Sequence, residues 1–588
     1  MSHLEPVVQS VECYNRFVGQ QVERSRKDRD FSRSLIQRWH KIKQTIGTST
    51  STTGTTLPRL ALPQTDEPGE VARYLFGEGL PGEFPFANAA YREMYLAPDK
   101  SGLQPPTSEI EEPTRLFAGL GRAEDTNARF HYLSKHQKSV RLSTAFDGPT
   151  LYGLDSDYEG VLGKVGEGGV AVDTVEDMER LYAGFNLADK NSSVSMTINA
   201  PAPAILAMYV AAAKRRFGPG VVEKLRGTIQ ADILKEVQAQ NEMIFPVEAA
   251  LRFLTDMAEY TTQHLPRWYP ISISGYHIAE AGATPVQQAA FTLSNGFAYV
   301  EMFKARGMDV NQFGPRLSFF LDCGLDIEYL VLGRVCRRIW AIGMRDVFEA
   351  DSRAQLLKLH MQTSGRSLIA AEFKNNLTRT AVELMLAYMN GTNSCHSNSA
   401  DEPFTTPTEE YVRLASHAQS IILEETGLFK QMMNVFGGSP GLQILERRVE
   451  QGILEAFAEI EQLGGVLPAM EQRYQRSQIQ QAAHTYEKQI YSGQRPVIGL
   501  NKYTSEEKRP SPKLERTPPA RQKAQVARLH AFKQKHAKKS PIALQRLENV
   551  CRQGGNVFAE LLNTVEVCSL GQITTALQSW VGRFRPMV

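Results

Sequence analysis

The chain has 588 residues, 42% hydrophobic and 22% charged, a composition that fits a soluble globular protein of one large domain with extensions or of roughly two to four ordinary ones. Its 66 basic and 64 acidic residues leave a formal net charge of +2, so there is no global electrostatic basis for binding nucleic acid or an anionic membrane, and a polyanionic ligand would have to be met locally. Six scattered cysteines without a CxxC pair exclude a zinc or disulfide framework, and no run of about 18 apolar residues occurs, so the chain reads as cytoplasmic, with reduced thiols, no metal site and no membrane span.

Residues 1–46 are charge-dense with periodic apolar positions (Val11, Tyr14, Phe17, Val18, then Leu35, Ile36, Trp39, Ile42), which predicts an N-terminal helical segment. Residues 47–83 begin with a Ser/Thr/Gly tract that has little to bury and read as a linker. Pro58 to Asp99 is rich in proline, glycine and aromatics, and residues 84–138 read as an extended arm. From 139 to 503 the pattern is regular. Strand-like runs at Val140–Thr144, Val170–Asp173, Val194–Ile198, Thr228–Gln230, Ile271–Ser274, Leu317–Phe320, Leu357–Gln362 and Asn393–Asn398 alternate with helical segments. That pattern predicts an α/β protein built on a (β/α)8 TIM barrel with following helices. An open doubly wound sheet is the competing architecture. A second linker spans 504–525, and residues 526–588 return to helical periodicity as a C-terminal appendage too small to stand alone.

The strands are unusually polar. Ser143-Thr144, Ser193 to Thr197, Ser272 to Ser274, Ser318, Thr363-Ser364 and Ser394 to Ser397 recur where a packed barrel would hold bulky apolar layers. A barrel whose axis holds an extended polar ligand, with amides that satisfy those hydroxyls, accounts for them. Hydroxyls at strand ends bonded to backbone are the alternative. Within this pattern the strand Ile271–Ser274 ends at Gly275 and presents Tyr276 and His277 side by side, followed by Glu280, a place where a carbonyl could be hydrogen-bonded near neutral pH. A core histidine satisfied by backbone is the competing reading. Two motifs fail on physical grounds. Gly437 to Gly441 fits G-x-S-x-G, but Pro440 lacks the N–H an oxyanion hole needs after Ser439. Gly77 to Gly82 fits G-x-G-x-x-G but follows a helical run and carries Pro81 where a helix should open.

The segments Leu142–Asp147, Ser193–Thr197, Gly227–Glu236, Ser272–Ala283, Pro315–Phe320, Gln362–Leu368 and Asp401-Glu402 make the chain from about Phe84 to Tyr503 resemble the substrate-binding subunit of the adenosylcobalamin-dependent acyl-CoA mutases, the methylmalonyl-CoA mutase family. The tail Asn556–Thr575 is similar to the C-terminal end of isobutyryl-CoA mutases fused to a G-protein chaperone. The resemblance implies an acyl-CoA substrate whose pantetheine threads the barrel, and a radical carbon-skeleton rearrangement. In it, His277, Tyr276 and Gln230 are the catalytic group, His277 bonding the thioester carbonyl and Tyr276 shielding the radical. Tyr95, Gln240, Ser143, Ser195, Thr197, Thr228, Arg316, Ser318 and His360 are the implied substrate contacts, and Phe146, Glu280, Gln362, Gly365, Arg366 and Glu402 the implied cofactor contacts.

None of the 12 histidines is followed by glycine three residues later, so the family's D-x-H-x-x-G cobalt-binding loop is missing. The resemblance then implies adenosylcobalamin held mainly by a small cobalamin-binding partner subunit, a homodimer of heterodimers, and a G-protein chaperone from another chain. Where methylmalonyl-CoA mutases hold the free carboxylate with an arginine and a tyrosine, this chain has Gln240 and Tyr95, which points to an acyl group without that carboxylate: isobutyryl, n-butyryl, or a related branched or hydroxylated one. The family's Tyr-Thr-Arg-Gly is Phe86-Ala87-Asn88-Ala89 here, and extra residues lie around Lys100 to Glu111. These departures keep open a mutase-like acyl-CoA-binding scaffold with altered catalysis.

Overall fold

A computed structural model describes residues 4–92, 94–95, 115–135, 137, 139–505 and 516–585. Among the described residues nine short strands build the parallel sheets, in chain order: β1 (Leu116–Ala118), β2 (Val140–Ala145), β3 (Ser192–Thr197), β4 (Gly227–Ile229), β5 (Trp268–Tyr269), β6 (Ile271–Ser274), β7 (Leu317–Cys323), β8 (Lys358–Thr363) and β9 (Ser394–His396). β5 and β6 are two halves of one stave, interrupted at Pro270, which has no N–H to donate. Two parallel ladders result, β1 to β5 and β6 to β9, each joined in sequence order. Single backbone bonds close both seams, Ser272 N–H to Gln230 O at 2.9 Å and Arg115 N–H to Cys395 O at 3.3 Å. The eight staves make the (β/α)8 arrangement, with helices such as Ala202–Phe217, Pro285–Ala305 and Leu332–Asp346 outside and almost wholly buried on the strand side. The longest of these, Pro285–Ala305, starts where Thr284 and Gln287 form a capping box and proline takes the first turn.

One expected strand does not form, and a strand that was not expected takes its place. Val170–Asp173 forms only an isolated bridge, Val170 with Phe146, because Thr174 caps the helix Val175–Leu181 at once. The missing stave is Leu116–Ala118, three residues inside the segment read as an arm. The Ser/Thr tract read as a linker carries a small antiparallel hairpin, Thr48–Thr50 with Thr56–Pro58, tied down by Ser49 Oγ donating to Gln431 O at 2.7 Å.

Helices Leu4–Lys27 and Arg29–Thr45 form the N-terminal part. Val7 and Val11 of the first enter the main core, while Leu35 and Trp39 of the second make a separate small core with Val71, Tyr74 and Leu75. At the other end, helices Pro519–Lys535, Ser540–Arg552, Val557–Thr564 and Leu570–Val581 bury Phe558, Leu561 and Ile573 against the barrel. Their polar anchor is the loop between β2 and β3, where Lys533 pairs with Asp155 at 2.9 Å and Asp157 at 2.8 Å, and Gln525 Nε2 donates to Asp173 at 2.7 Å. No helix among the described residues is long and apolar enough to cross a membrane.

Candidate active site

Side chains alternate along each strand, so one register position defines a layer around the barrel axis. Ser143, Ser195, Thr228 and Tyr269 are paired across β2 to β5, Ser272, Ser318 and Lys358 across β6 to β8, and Phe320, His360 and Ser394 across β7 to β9. All of these line one axial cavity of about 1080 Å³. Small hydroxyl side chains are the reason that volume is open, since Leu or Ile at the same positions would fill it.

The two ends of the cavity differ in charge. Lys190, Arg226, Arg267, Arg316 and Arg353 stand just before strands, at the N-terminal rim, and Arg115, Arg141 and Lys358 lie slightly deeper. The described residues that line the cavity include these eight basic side chains and no carboxylate. Arg316 donates to Thr262 O at 2.7 Å and Arg226 to Lys190 O at 2.6 Å, which fixes part of the rim. A chain with a net charge of only +2 therefore concentrates cations where a polyanion could enter.

The opposite end is neutral and consists of Gln230, Tyr276, His277, Phe320 and Gln362. Phe320 is its floor: Tyr276 stacks flat on it with centroids 4.8 Å apart, and the His277 and His360 rings meet it at 5.8 and 4.9 Å. His277 Nδ1 lies 2.7 Å from Ser274 Oγ, while the Ser274 N–H donates to Asp232 at 2.7 Å. Burial, and then the Lys235 cation, hold the His277 pKa well below its usual value, so the ring is neutral and suited to hydrogen bonding rather than to carrying a charge. His360 is likewise depressed by burial and then by Arg115, and its Nδ1 is 2.7 Å from Ser394 Oγ. Tyr276 is the reverse case, its phenol kept protonated by burial, and its oxygen accepts from Gln362 Nε2 at 3.0 Å. Gln230 accepts from Asn199 Nδ2 at 3.1 Å.

Beyond this end, loops at the C-terminal ends of the strands form a shelf. Glu280 accepts from the Gly365 N–H at 2.8 Å and from Ser364 Oγ at 3.2 Å, and Arg366 donates to the carbonyls of Ala279 at 2.9 Å and Ala283 at 3.2 Å. A Cβ at position 365 would sit 2.5 Å from the Glu280 carboxylate, so a larger residue there would push that side chain out of its bonds to Ser364 and Gly365. Glu402 accepts from the Ser399 N–H at 2.8 Å, and burial pushes its carboxyl up to about 7. Phe146 follows β2 on the same side and is buried.

The cavity thus brings together His277, Tyr276, Gln230, Ser143, Ser195, Thr197, Thr228, Arg316, Ser318, His360 and Gln362. Phe146, Glu280, Gly365, Arg366 and Glu402 lie outside it, at the strand ends. Two expected substrate contacts do not reach it. Tyr95 is buried against Tyr388 and Phe429 and donates to Thr392 O, so its phenol is spent on the backbone. Gln240, on the π-helical turn Glu236–Gln240, accepts from the buried Lys235 ammonium. The tyrosine of the arm that does line the cavity is Tyr91, near Lys358 and hence toward the basic end.

Phe86 and Ala87 give their carbonyls to the buried Arg337 at 2.9 and 2.8 Å, so this altered stretch is a structural tie. The segment Lys100 to Glu111 lies outside the described residues. Phe320, Lys358 and His396 were missed as site residues, although counting by two from Ser318, His360 and Ser394 reaches all three. Among the described residues no group of three or more His, Cys, Asp or Glu side chains could hold a metal ion.

Comparison with known proteins gives a consistent picture. Residues 59–583 match the family model described as methylmalonyl-CoA mutase. A fused isobutyryl-CoA mutase of Geobacillus kaustophilus is 45% identical over 565 residues, covering 92% of this chain and 51% of that protein. The 2-hydroxyisobutanoyl-CoA mutase large subunit of Aquincola tertiaricarbonis is 40% identical over 431 residues, covering 73% of this chain and 74% of that protein. The mitochondrial methylmalonyl-CoA mutase of Mus musculus is 35% identical, covering 86% of this chain and 66% of that protein. The chain spans about half the length of the fused relatives. Their being single fused chains removes the support for a heteromer with a separate small cobalamin-binding subunit, and for a homodimer of heterodimers. The absent D-x-H-x-x-G loop shows only that residues 1–588 do not contain it.

Proposed function

This chain belongs to the methylmalonyl-CoA mutase family, and on that premise we propose that it is the acyl-CoA-binding part of a mutase that rearranges the carbon skeleton of a short acyl-CoA lacking a free carboxylate, isobutyryl-CoA or a branched or hydroxylated relative. The observation that carries this reading is the charge profile of the cavity: eight basic side chains toward one end, hydroxyl groups along the wall, and neutral Gln230, Tyr276, His277, Phe320 and Gln362 at the other. The basic rim suits the phosphates of CoA, with Arg316 among them, and the wall hydroxyls of Ser143, Ser195, Thr197, Thr228 and Ser318 suit the pantetheine amides. A substrate carboxylate at the neutral end would be buried with no cation lining that end, since Lys235 behind it is already paired with Glu236, at a cost of several kcal/mol. That end therefore favours an uncharged acyl group.

In this reading His277 offers a ring nitrogen to the thioester carbonyl, with Gln230 beside it. Tyr276, stacked on Phe320 and held by Gln362, closes the end of the cavity and keeps water from the acyl group. The shelf suits a large amide-bearing cofactor: Gly365 lets the Glu280 carboxylate lie against the backbone, and Glu280, Arg366 and Glu402 present hydrogen-bonding groups beside it. Phe146, Glu280, Gln362, Gly365, Arg366 and Glu402 would hold adenosylcobalamin there. Adenosylcobalamin supplies a homolytically cleavable Co–C bond, the source of the radical that starts the rearrangement. The fused relatives favour a cobalamin module joined covalently to this one. A G-protein chaperone is implied only by the resemblance of the tail Asn556–Thr575.

The test is turnover. The protein supplied with a cobalamin-binding module, adenosylcobalamin and isobutyryl-CoA should yield n-butyryl-CoA by mass spectrometry. Absence of turnover with isobutyryl-, n-butyryl-, 2-hydroxyisobutyryl- and other short acyl-CoA substrates would sink the catalytic reading. CoA affinity retained in that case would leave a binding scaffold.

A further inference from the structure

We propose that Ser274 is the positioning residue of His277, its hydroxyl donating to Nδ1 and so fixing the imidazole as the tautomer that carries its proton on Nε2. The pair is short, 2.7 Å from Oγ to Nδ1, and Ser274 is fully buried. Its backbone cannot drift, because the Ser274 N–H donates to Asp232 at 2.7 Å and the Gly275 N–H to Phe320 O at 2.7 Å. Asp232 is itself held by the Tyr299 hydroxyl at 2.6 Å and the Lys235 N–H at 3.3 Å. A chain of bonds thus runs from the helix Pro285–Ala305, which carries Tyr299, through Asp232 and Ser274 to the ring of His277.

The direction of the last bond follows from what each alternative leaves unmatched. Among the described residues Nδ1 is the only side-chain or backbone partner shown for the Ser274 hydroxyl. If the hydroxyl accepted a proton from Nδ1, its own O–H would be a buried donor with no acceptor. If it donates, only a lone pair is left over. Buried donors without partners are the rarer and costlier outcome. The ring is neutral, since burial and the Lys235 cation both oppose a second proton, so the choice between tautomers is the one that remains.

The consequence concerns the substrate. Nδ1 is occupied, so Nε2 is the nitrogen that the cavity-lining ring can offer. As N–H it donates to a carbonyl oxygen; as a bare lone pair it would repel one. Ser274 therefore decides whether His277 helps or hinders an acyl thioester, a role that rests on the reading of His277 given above.

The experiment is 15N spectroscopy of the full chain labelled at histidine, with His277→Ala identifying the signal. The wild-type ring should show a protonated Nε2 and an unprotonated Nδ1. Ser274→Ala should give a mixture of tautomers and, in the enzyme loaded with cofactor, lower kcat by about tenfold while changing KM for acyl-CoA by less than about threefold. Ser274→Thr, which keeps a hydroxyl, should restore the spectrum. A wild-type ring protonated on Nδ1, or a spectrum unchanged in Ser274→Ala, overturns the proposal. The wild-type spectrum decides even if the variants fail to fold. It also stands apart from the functional reading, which fails by absence of turnover whatever the tautomer.

Discussion

The rings of Tyr276 and Phe320 lie parallel, 4° from coplanar and 4.8 Å apart, and make one rigid wall at the neutral end of the cavity. Phe320 also supports His277 and His360, so truncating it frees three side chains at once. Phe320→Ala is expected to lower kcat/KM by about 10²-fold, the usual result when reacting groups lose their positions by an ångström. Tyr276→Phe keeps the stack and loses only the phenol oxygen that accepts from Gln362 at 3.0 Å and Asn398 at 3.4 Å, so it should cost less than about tenfold. Steady-state kinetics of the two variants would show the contrast, and equal losses would locate the effect in the phenol instead.

His277→Ala removes the polar group nearest the expected thioester, and turnover should fall by about 10²-fold or more. The ring makes no charge pair, so unfolding temperature should change by only a few degrees. An unchanged rate would return His277 to the status of a core residue.

Gln240 and Lys235 give a sharper expectation about specificity. Lys235 is fully buried, paired with Glu236 at 2.6 Å and donating to the Gln240 amide. Gln240→Arg, the obvious change toward a carboxylate-binding mutase, would set a second cation against a buried ammonium. Repulsion at such a distance is worth roughly 2–4 kcal/mol, so the variant should unfold at a visibly lower temperature without gaining methylmalonyl-CoA turnover. Gain of that activity at unchanged stability would show that the loop rearranges.

The barrel was legible because its signal is periodic: helices alternate with short strands, and hydroxyl residues at every second position predict a polar axis. What escaped were facts set by tertiary neighbours. Leu116–Ala118 is too short to carry a period of its own, and Val170–Asp173 has the composition of a strand but is cut off by the Thr174 cap. Tyr91 and Tyr95 are four residues apart in one segment, and sequence cannot tell which faces the cavity, because Thr392 O claims the Tyr95 phenol from far along the chain. Apart from Arg316, the basic rim was invisible for a similar reason, its members being single residues before separate strands.

Glu402 offers a test by pH. Burial raises its carboxyl from 4.5 to about 7 in the folded chain, with Asp401 and Glu280 adding to the effect and the Ser399 N–H opposing it. The folded state thus holds the proton more tightly than the unfolded one. The resulting stability is fully present below pH 4.5 and is lost as pH rises through about 7. A gap of that size corresponds to about 3 kcal/mol. Glu402→Gln, which cannot ionise, should match the wild type near the acid end of that window and be the more stable of the two at pH 8. Asp322, raised to about 8 by burial and then by Glu280, acts in the same direction, so part of the wild-type slope should persist in the variant. Urea unfolding of both proteins at pH 5 and pH 8 measures the difference directly. A stability gap between them that is the same at both pH values would mean that Glu402 is ionised throughout, and its place on the shelf would then be that of a charged acceptor.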